Sequence, residues 1–122
     1  MDVTLQKEEA LKLKARNQQH INDIKRVLDL PVLTSPSYVV QISGITIDPE
    51  IVNQKTTSNF VFSFPHLARR FSLENAMIIA ASVHNGAGEK GEAVHWSVAS
   101  KELLKSLEAM NDEIDTYIAN LG

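Results

Sequence analysis

The sequence predicts an α+β fold in which a four-stranded, mostly antiparallel sheet has long N- and C-terminal helices packed on one of its faces. Long segments near both ends contain no glycine or proline and repeat their apolar residues at helical spacing. The middle of the chain instead alternates apolar and polar residues, as half-buried strands do. A chain of 122 residues with 43% hydrophobic content suits a single domain, 1–122. The predicted order of elements is α-β-β-α-β-β-α.

The first segment, residues 3–30, predicts a long helix that ends at Pro31, because proline cannot continue a helix. Its second half carries a clear apolar stripe, made of Ile21, Ile24, Val27 and Leu28. Extended backwards, the stripe passes through Ala10, Leu13, Asn17 and His20. This pattern resembles a coiled-coil seam that polar residues interrupt, and one buried asparagine in such a seam fixes the register of the helices.

Two strands are predicted between residues 38 and 64. The first, 38–47, changes its alternation at Gly44, which predicts a bend or bulge there. A turn is expected at 48–50, and the second strand covers 59–64, with three phenylalanines on one face. Pro65 is then expected to open a short helix over 65–71.

Residues 73–98 fit two interpretations. A helix over 73–83 has apolar residues at helical spacing, whereas a hairpin of 73–84 with 93–98 gives both strands a consistent inner and outer face. We favour the hairpin, in which His84 and His95 would be diagonal neighbours on its outer face.

The last segment, 101–120, predicts a helix that Ser100 caps. Its stripe is the most regular in the chain and consists of Leu103, Leu107, Met110, Ile114, Tyr117 and Leu121. The first helix would be about 42 Å long, whereas a compact domain of this size is about 30 Å across. Part of it must overhang, so we expect a homodimer or higher oligomer with the terminal helices at the interface. The expected interface residues are Leu13, Asn17, His20, Ile24, Leu107, Met110, Ile114, Tyr117 and Leu121.

Composition excludes several classes of function. The chain has no cysteine, which excludes disulfides, a thiol nucleophile and cysteine-based metal sites. Twelve basic residues against 15 acidic ones give a net charge of −3, which does not favour nucleic-acid binding. The N-terminus lacks a signal-peptide pattern, and the longest apolar run, 76–81, is too short for a membrane span. We therefore expect a cytoplasmic protein without membrane contact.

The segment 85–91 contains the spacing G-x-G-x-x-G, which in dinucleotide-binding folds holds a pyrophosphate. Only 31 residues follow its last glycine, too few for the β-α units that such a fold needs. The segment therefore reads as a solvent-facing connection, or as a loop whose amides approach a phosphate while Lys90 adds charge.

Further polar residues form a candidate anion site. Arginine pairs at a helix end suit phosphate recognition, and two histidines could join them from the predicted hairpin. The candidate ligand-binding residues are Arg69, Arg70, His84, His95, Gly86, Gly88 and Lys90. Two histidines without a third ligand do not predict a metal site, and without an orienting acid and an oxyanion hole they do not predict a catalytic site.

The leading hypothesis is a non-enzymatic binding, adaptor or inhibitor-type protein that acts by occupying a protein partner, as a homo-oligomer. The alternative is a binder of a nucleotide or other small anion that uses the glycine loop 85–91 with nearby arginine, histidine and lysine. A small hydrolase or lyase that uses His84 or His95 is a third and weaker interpretation. The sequence indicates no cofactor.

Overall fold

The computed structural model describes residues 3–29, 36–52 and 55–121. Its elements, in chain order, are α1 (Val3–Leu28), β1 (Tyr38–Ile42), β2 (Ile45–Val52), β3 (Lys55–Phe62), α2 (Leu73–Ser82), β4 (Gly91–His95) and α3 (Trp96–Ala119). The strands form one antiparallel sheet in the order β3-β2-β1-β4, so that β3 and β4 are its edges. The predicted α+β class with a four-stranded antiparallel sheet is confirmed.

The chain forms two compact units. The helical unit comprises Met1–Leu30 and Lys101–Gly122, and the sheet unit comprises Pro31–Ser100. Helix α3 begins in the sheet unit and continues into the helical unit. The prediction of a single domain over 1–122 stays a prediction.

The helical unit is a hairpin of two antiparallel helices. Two contacts show that α1 and α3 run in opposite directions: Lys14 pairs with Asp115, and Asn17 pairs with Asn111. Further along, an apolar cluster closes the hairpin with Ile21, Ile24, Leu28, Leu103, Leu104 and Leu107. The long N-terminal helix predicted from the apolar stripe is confirmed, and its predicted stop at Pro31 lies outside the described residues.

The sheet unit begins with a tight hairpin where the sequence predicted one bent strand. Ser43 and Gly44 have positive φ angles of 51° and 78°, as the central residues of a type I′ turn require. Ile42 therefore pairs with Ile45, and 38–47 forms two strands instead of one. The alternation of apolar and polar residues changes at Gly44 because the chain reverses there and a second strand with its own alternation begins.

The turn predicted at 48–50 is wrong, because β2 continues through Val52. Pro49 pairs with Phe60, and the register shifts between Pro49 and Ile51. Strand β1 pairs with β2 only as far as Ile47, so the missing N–H of Pro49 removes no hydrogen bond from that ladder.

The hairpin favoured for residues 73–98 is also wrong. Residues 73–82 form helix α2, whose N-cap is Ser72: its Oγ accepts a hydrogen bond from the backbone N of Asn75 at 3.2 Å. Residues 96–98 belong to the first turn of α3, which leaves β4 to pair with β1. Ser100, the predicted cap, lies inside α3. The helical spacing of Ala76, Ile79 and Ala80 was the correct indication, because all three are buried on one face of α2. The apolar–polar alternation that favoured a strand extended over too few residues to be reliable.

The short helix expected over 65–71 is replaced by turns and a bridge. The backbone N of Leu67 and of Ala68 both donate to the carbonyl of Phe64, which closes one turn only. Phe71 then pairs with Tyr38 at the end of β1. Because this bridge requires extended backbone at Phe71, a helix cannot run through to that residue.

The core of the sheet unit lies between α2 and one face of the sheet. Its buried members are Val40, Ile42, Ile47, Phe71, Ala76, Ile79, Ala80 and Val83. Within the described residues, none of the helices combines the length and the apolarity that crossing a membrane requires.

Candidate functional site

The seam of the helical hairpin changes character along its length. The end near Ile24 and Leu107 is apolar and buried. Beyond the Asn17–Asn111 pair, α1 places half-buried Lys14 and Ala10 at the same seam spacing. Small and polar side chains fill less apolar space, so the two helices leave a groove along this half of the hairpin.

This hairpin groove is open and has a volume of about 880 Å³. Its apolar lining consists of Leu5, Ala10, Leu13, Met110, Ile114 and Tyr117. Its polar and charged lining consists of Gln6, Glu9, Lys12, Arg16 and Glu113. Helix α1 contributes one wall and α3 the other, and both belong to the same compact unit.

Four large apolar side chains of the groove remain in contact with solvent. Leu5 is 53% exposed, Leu13 and Met110 are each 42% exposed, and Tyr117 is 47% exposed. Single exposed leucines are ordinary on protein surfaces. Four that line one concave surface, with charges around them, are typical of a site that binds another protein.

The two walls of the groove have opposite charge. On the α1 wall the lining carries Lys12 and Arg16 against Glu9, which gives a net charge of +1. On the α3 wall the lining carries Glu113, which gives −1. One pair is satisfied within the hairpin, since Nζ of Lys14 lies 2.5 Å from Oδ1 of Asp115.

The predicted self-association residues separate into two groups. Asn17, Ile24 and Leu107 are buried inside the chain's own hairpin. Leu13, Met110 and Tyr117 line the groove and are exposed, Ile114 lies at its floor and is buried, and His20 and Leu121 are half-buried. A second chain could therefore contact the three exposed groove residues directly, whereas contact with Asn17, Ile24 and Leu107 requires the two helices to separate.

The predicted anion-site residues also separate. Arg70 and His95 both contact Trp96, the first residue of α3. The guanidinium of Arg70 is 4.3 Å from the ring centroid of Trp96. His95 contacts the same tryptophan, with ring centroids 6.2 Å apart, and meets Tyr38 edge-on at 5.3 Å. Burial lowers the pKa of Arg70 by desolvation, although its neighbour Arg69 is exposed.

His84 and Lys90 pair with each other at the opposite end of β4. Five residues of extended chain separate Lys90 from His95, about 16 Å at the usual rise of a strand. The structure therefore does not bring the glycine loop together with Arg70 and His95.

Several backbone amides of the glycine loop 85–91 donate hydrogen bonds within the loop itself. Oδ1 of Asn85 accepts hydrogen bonds from the backbone N of Ala87 and of Glu89, each at 3.0 Å, and the N of Gly88 donates to the carbonyl of Asn85. The carboxylate of Glu89 accepts hydrogen bonds from Ser43 and Asn85, which lower its pKa in that order of importance. Because the amides of Ala87, Gly88 and Glu89 already have acceptors and a carboxylate lies beside them, the loop is poorly suited to bind a phosphate.

His95 has a structural role that the sequence analysis missed. It precedes α3, and its Nδ1 accepts a hydrogen bond from the backbone N of Ser97 at 3.2 Å, as the side chain of an N-cap residue does. Ser97 Oγ lies 2.8 Å from the same Nδ1. The signal in the sequence was weak, because histidine is not among the preferred N-cap residues.

Asn111 was also missed as the partner of Asn17. It stands four residues after Leu107 and three before Ile114, so it continues the apolar stripe of α3 with a polar residue. Polar residues at seam positions of both helices could have indicated a buried pair.

Comparison with known protein families, with curated proteins and with solved structures finds no match to this chain.

Proposed function

We propose that the protein is a non-enzymatic binding protein of the adaptor or inhibitor type, which occupies a protein partner through the hairpin groove. The observation that carries the proposal is the half-exposure of four large apolar side chains along that one groove. Burying such side chains against a partner contributes about 25 cal/mol for each Å² of apolar surface removed from water.

The groove has the form that an amphipathic helix fits. Its length from Leu5 to Arg16 on α1 is about 17 Å, close to three helical turns. A helix with apolar residues at i, i+3, i+4 and i+7 would place them against the apolar lining. The charged rim, with Arg16 and Glu113 on opposite walls, would then select the orientation of that helix.

The proposal can be tested by photo-crosslinking from single positions. A photoreactive amino acid replaces Leu13 or Tyr117 in the groove and, as a matched control, exposed Met77 on α2 of the sheet unit. We expect protein adducts from the groove positions, and their loss when Leu5→Glu and Met110→Glu are added. Equal adduct yields from Met77 and the groove positions, or adducts that survive both added charges, would contradict the proposal.

A second candidate function, the binding of a small anion, is favoured by the cluster of Arg70, His95 and Trp96. Trp96 is the only tryptophan, so its fluorescence reports on a ligand at Arg70. Titration with phosphate or a nucleotide should change this emission in the intact protein and not in Arg70→Ala. Arg69→Ala, which changes an exposed neighbour, is the control. An unchanged emission across the titration would reject this candidate.

The remaining proposals concern location and partners. We propose a cytoplasmic protein, because the chain lacks cysteine, as proteins of reducing compartments often do. We do not propose a nucleic-acid partner, since the net charge of −3 opposes non-specific attraction to phosphates.

A further inference from the structure

We infer that the occupant of the hairpin groove is the hairpin of a second copy of this chain, with α1 of each copy against α3 of the other. The inference rests on the proposed function, since it names the partner of the same groove. The result would be a two-fold symmetric bundle of four helices.

Charge favours this pairing of walls over the others. The α1 wall is basic and the α3 wall is acidic: Lys12 and Arg16 against Glu9 give the α1 lining a net charge of +1, and Glu113 gives the α3 lining −1. Two copies that met α1 to α1 or α3 to α3 would bring like charges together. Contact of α1 with α3 brings opposite charges together at both symmetry-related places, as the Lys14–Asp115 pair already does within one copy.

The apolar lining is also self-complementary under this symmetry. Leu5 and Leu13 project from α1, and Met110 and Tyr117 project from α3. A two-fold contact places the pair from each helix against the other pair of the second copy. All four exposed side chains then enter one apolar layer, which a partner with an unrelated surface would have to reproduce.

The size of the groove predicts the strength of the association. A contact about 17 Å long and two helices wide covers on the order of 350 Å² per copy, against about 800 Å² per partner in a standard stable interface. We therefore expect a dimer that forms at high concentration and dissociates on dilution.

The test reverses the charge of each wall and then of both. Lys12→Glu with Arg16→Glu changes the charge of the α1 lining from +1 to −3, and Glu113→Lys changes that of the α3 lining from −1 to +1. Each change alone places like charges across the contact, and we expect the dissociation constant measured by sedimentation equilibrium to rise on the order of tenfold. All three changes in one chain should restore self-association.

The triple variant also determines which walls meet. If α1 contacts α3, the triple variant should associate with itself and fail to associate with the unaltered chain. If α1 contacted α1, the triple variant and the unaltered chain would instead attract each other, which would overturn the arrangement. Lys25→Glu with Arg26→Glu is the matched control, because it makes the same charge change on α1 outside the groove. Circular dichroism checks that every variant keeps its helices.

The outcomes separate the inference from the proposed function. One outcome is that the unaltered chain is monomeric at every concentration while the photoreactive residue at position 13 forms adducts with a different protein. That result would overturn the inference that a second copy binds the groove, but it would support the proposed function. A monomer without groove-specific adducts would overturn both. A dimer that ignores all groove charges would overturn the groove as its interface.

Discussion

Asn17 donates a hydrogen bond from its Nδ2 to Oδ1 of Asn111 across the helical hairpin, with 3.1 Å between the two atoms. Both side chains are buried. Sliding one helix past the other would leave both amides without this partner in a place that water does not reach. The pair therefore fixes the register of the hairpin, as a buried asparagine does in a coiled coil.

Removing one member of this pair should destabilise the protein more than removing both. Asn17→Leu leaves Oδ1 of Asn111 without the hydrogen bond that it accepts, and we expect the free energy of unfolding to fall by about 1–3 kcal/mol. Adding Asn111→Leu removes the unsatisfied group and should recover most of that loss. Urea unfolding of the two single variants and the double variant measures the coupling as a double-mutant cycle. Additive losses would show that the hydrogen bond does not couple the two residues.

The N-cap of α3 should depend on the side chain of His95. His95→Ala removes the acceptor of the Ser97 amide, and we expect a loss of about 0.5–2 kcal/mol in the free energy of unfolding. His95→Asn keeps an acceptor at this position and should recover part of the loss. Exposed His84→Ala is the control, for which we expect a change within about 0.5 kcal/mol. Equal effects at His95 and His84 would argue against the cap.

Gly91 lies where a larger residue cannot fit. A Cβ atom there would be 2.9 Å from Cγ2 of Val83 and 3.0 Å from Cα of Ala80. We expect Gly91→Ala to lower the free energy of unfolding by about 1–3 kcal/mol, because the backbone of α2 must move. Gly86→Ala is the matched control, since no atom lies within 4 Å of its Cβ. Thermal unfolding of both variants measures the difference, and a stable Gly91→Ala protein would contradict the close contact.

Glu89 should titrate below the usual range of a glutamate. Hydrogen bonds from Ser43 and then Asn85 favour its ionised form and lower its pKa in the folded protein. A lowered pKa means that its contribution to stability is present above the pKa of the unfolded chain and is lost as the pH falls through the folded value. Titration of its side-chain carbon by NMR measures this pKa, and Ser43→Ala should raise it. An unchanged value in Ser43→Ala would contradict the assigned cause.

Long, regular patterns allowed the terminal helices to be predicted. Both helices carry apolar stripes that extend over several turns, and chance rarely produces such stripes. The errors arose where the pattern was short. Val94, Trp96 and Val98 alternate like a strand, yet the last two begin α3, because the side chain of His95 caps the helix at that point.

Less of the candidate site could be predicted. The sequence indicated that the terminal helices bear surplus apolar residues, and Leu13, Met110 and Tyr117 are exposed in the groove. It could not indicate that α3 of the same chain covers Asn17 and Ile24. An apolar stripe has the same sequence pattern whether it packs against its own chain or against another. That distinction depends on contacts between residues about a hundred positions apart.

Strand β3 forms one edge of the sheet, and Val61 and Phe62 there are largely exposed. No other strand of the described residues lies along its outer side. Residues 59–62 carry no charge, and an uncharged apolar edge is a template on which further extended chains can add. Fibril formation on heating or prolonged storage should accordingly start from this edge strand, and Val61→Lys should suppress it.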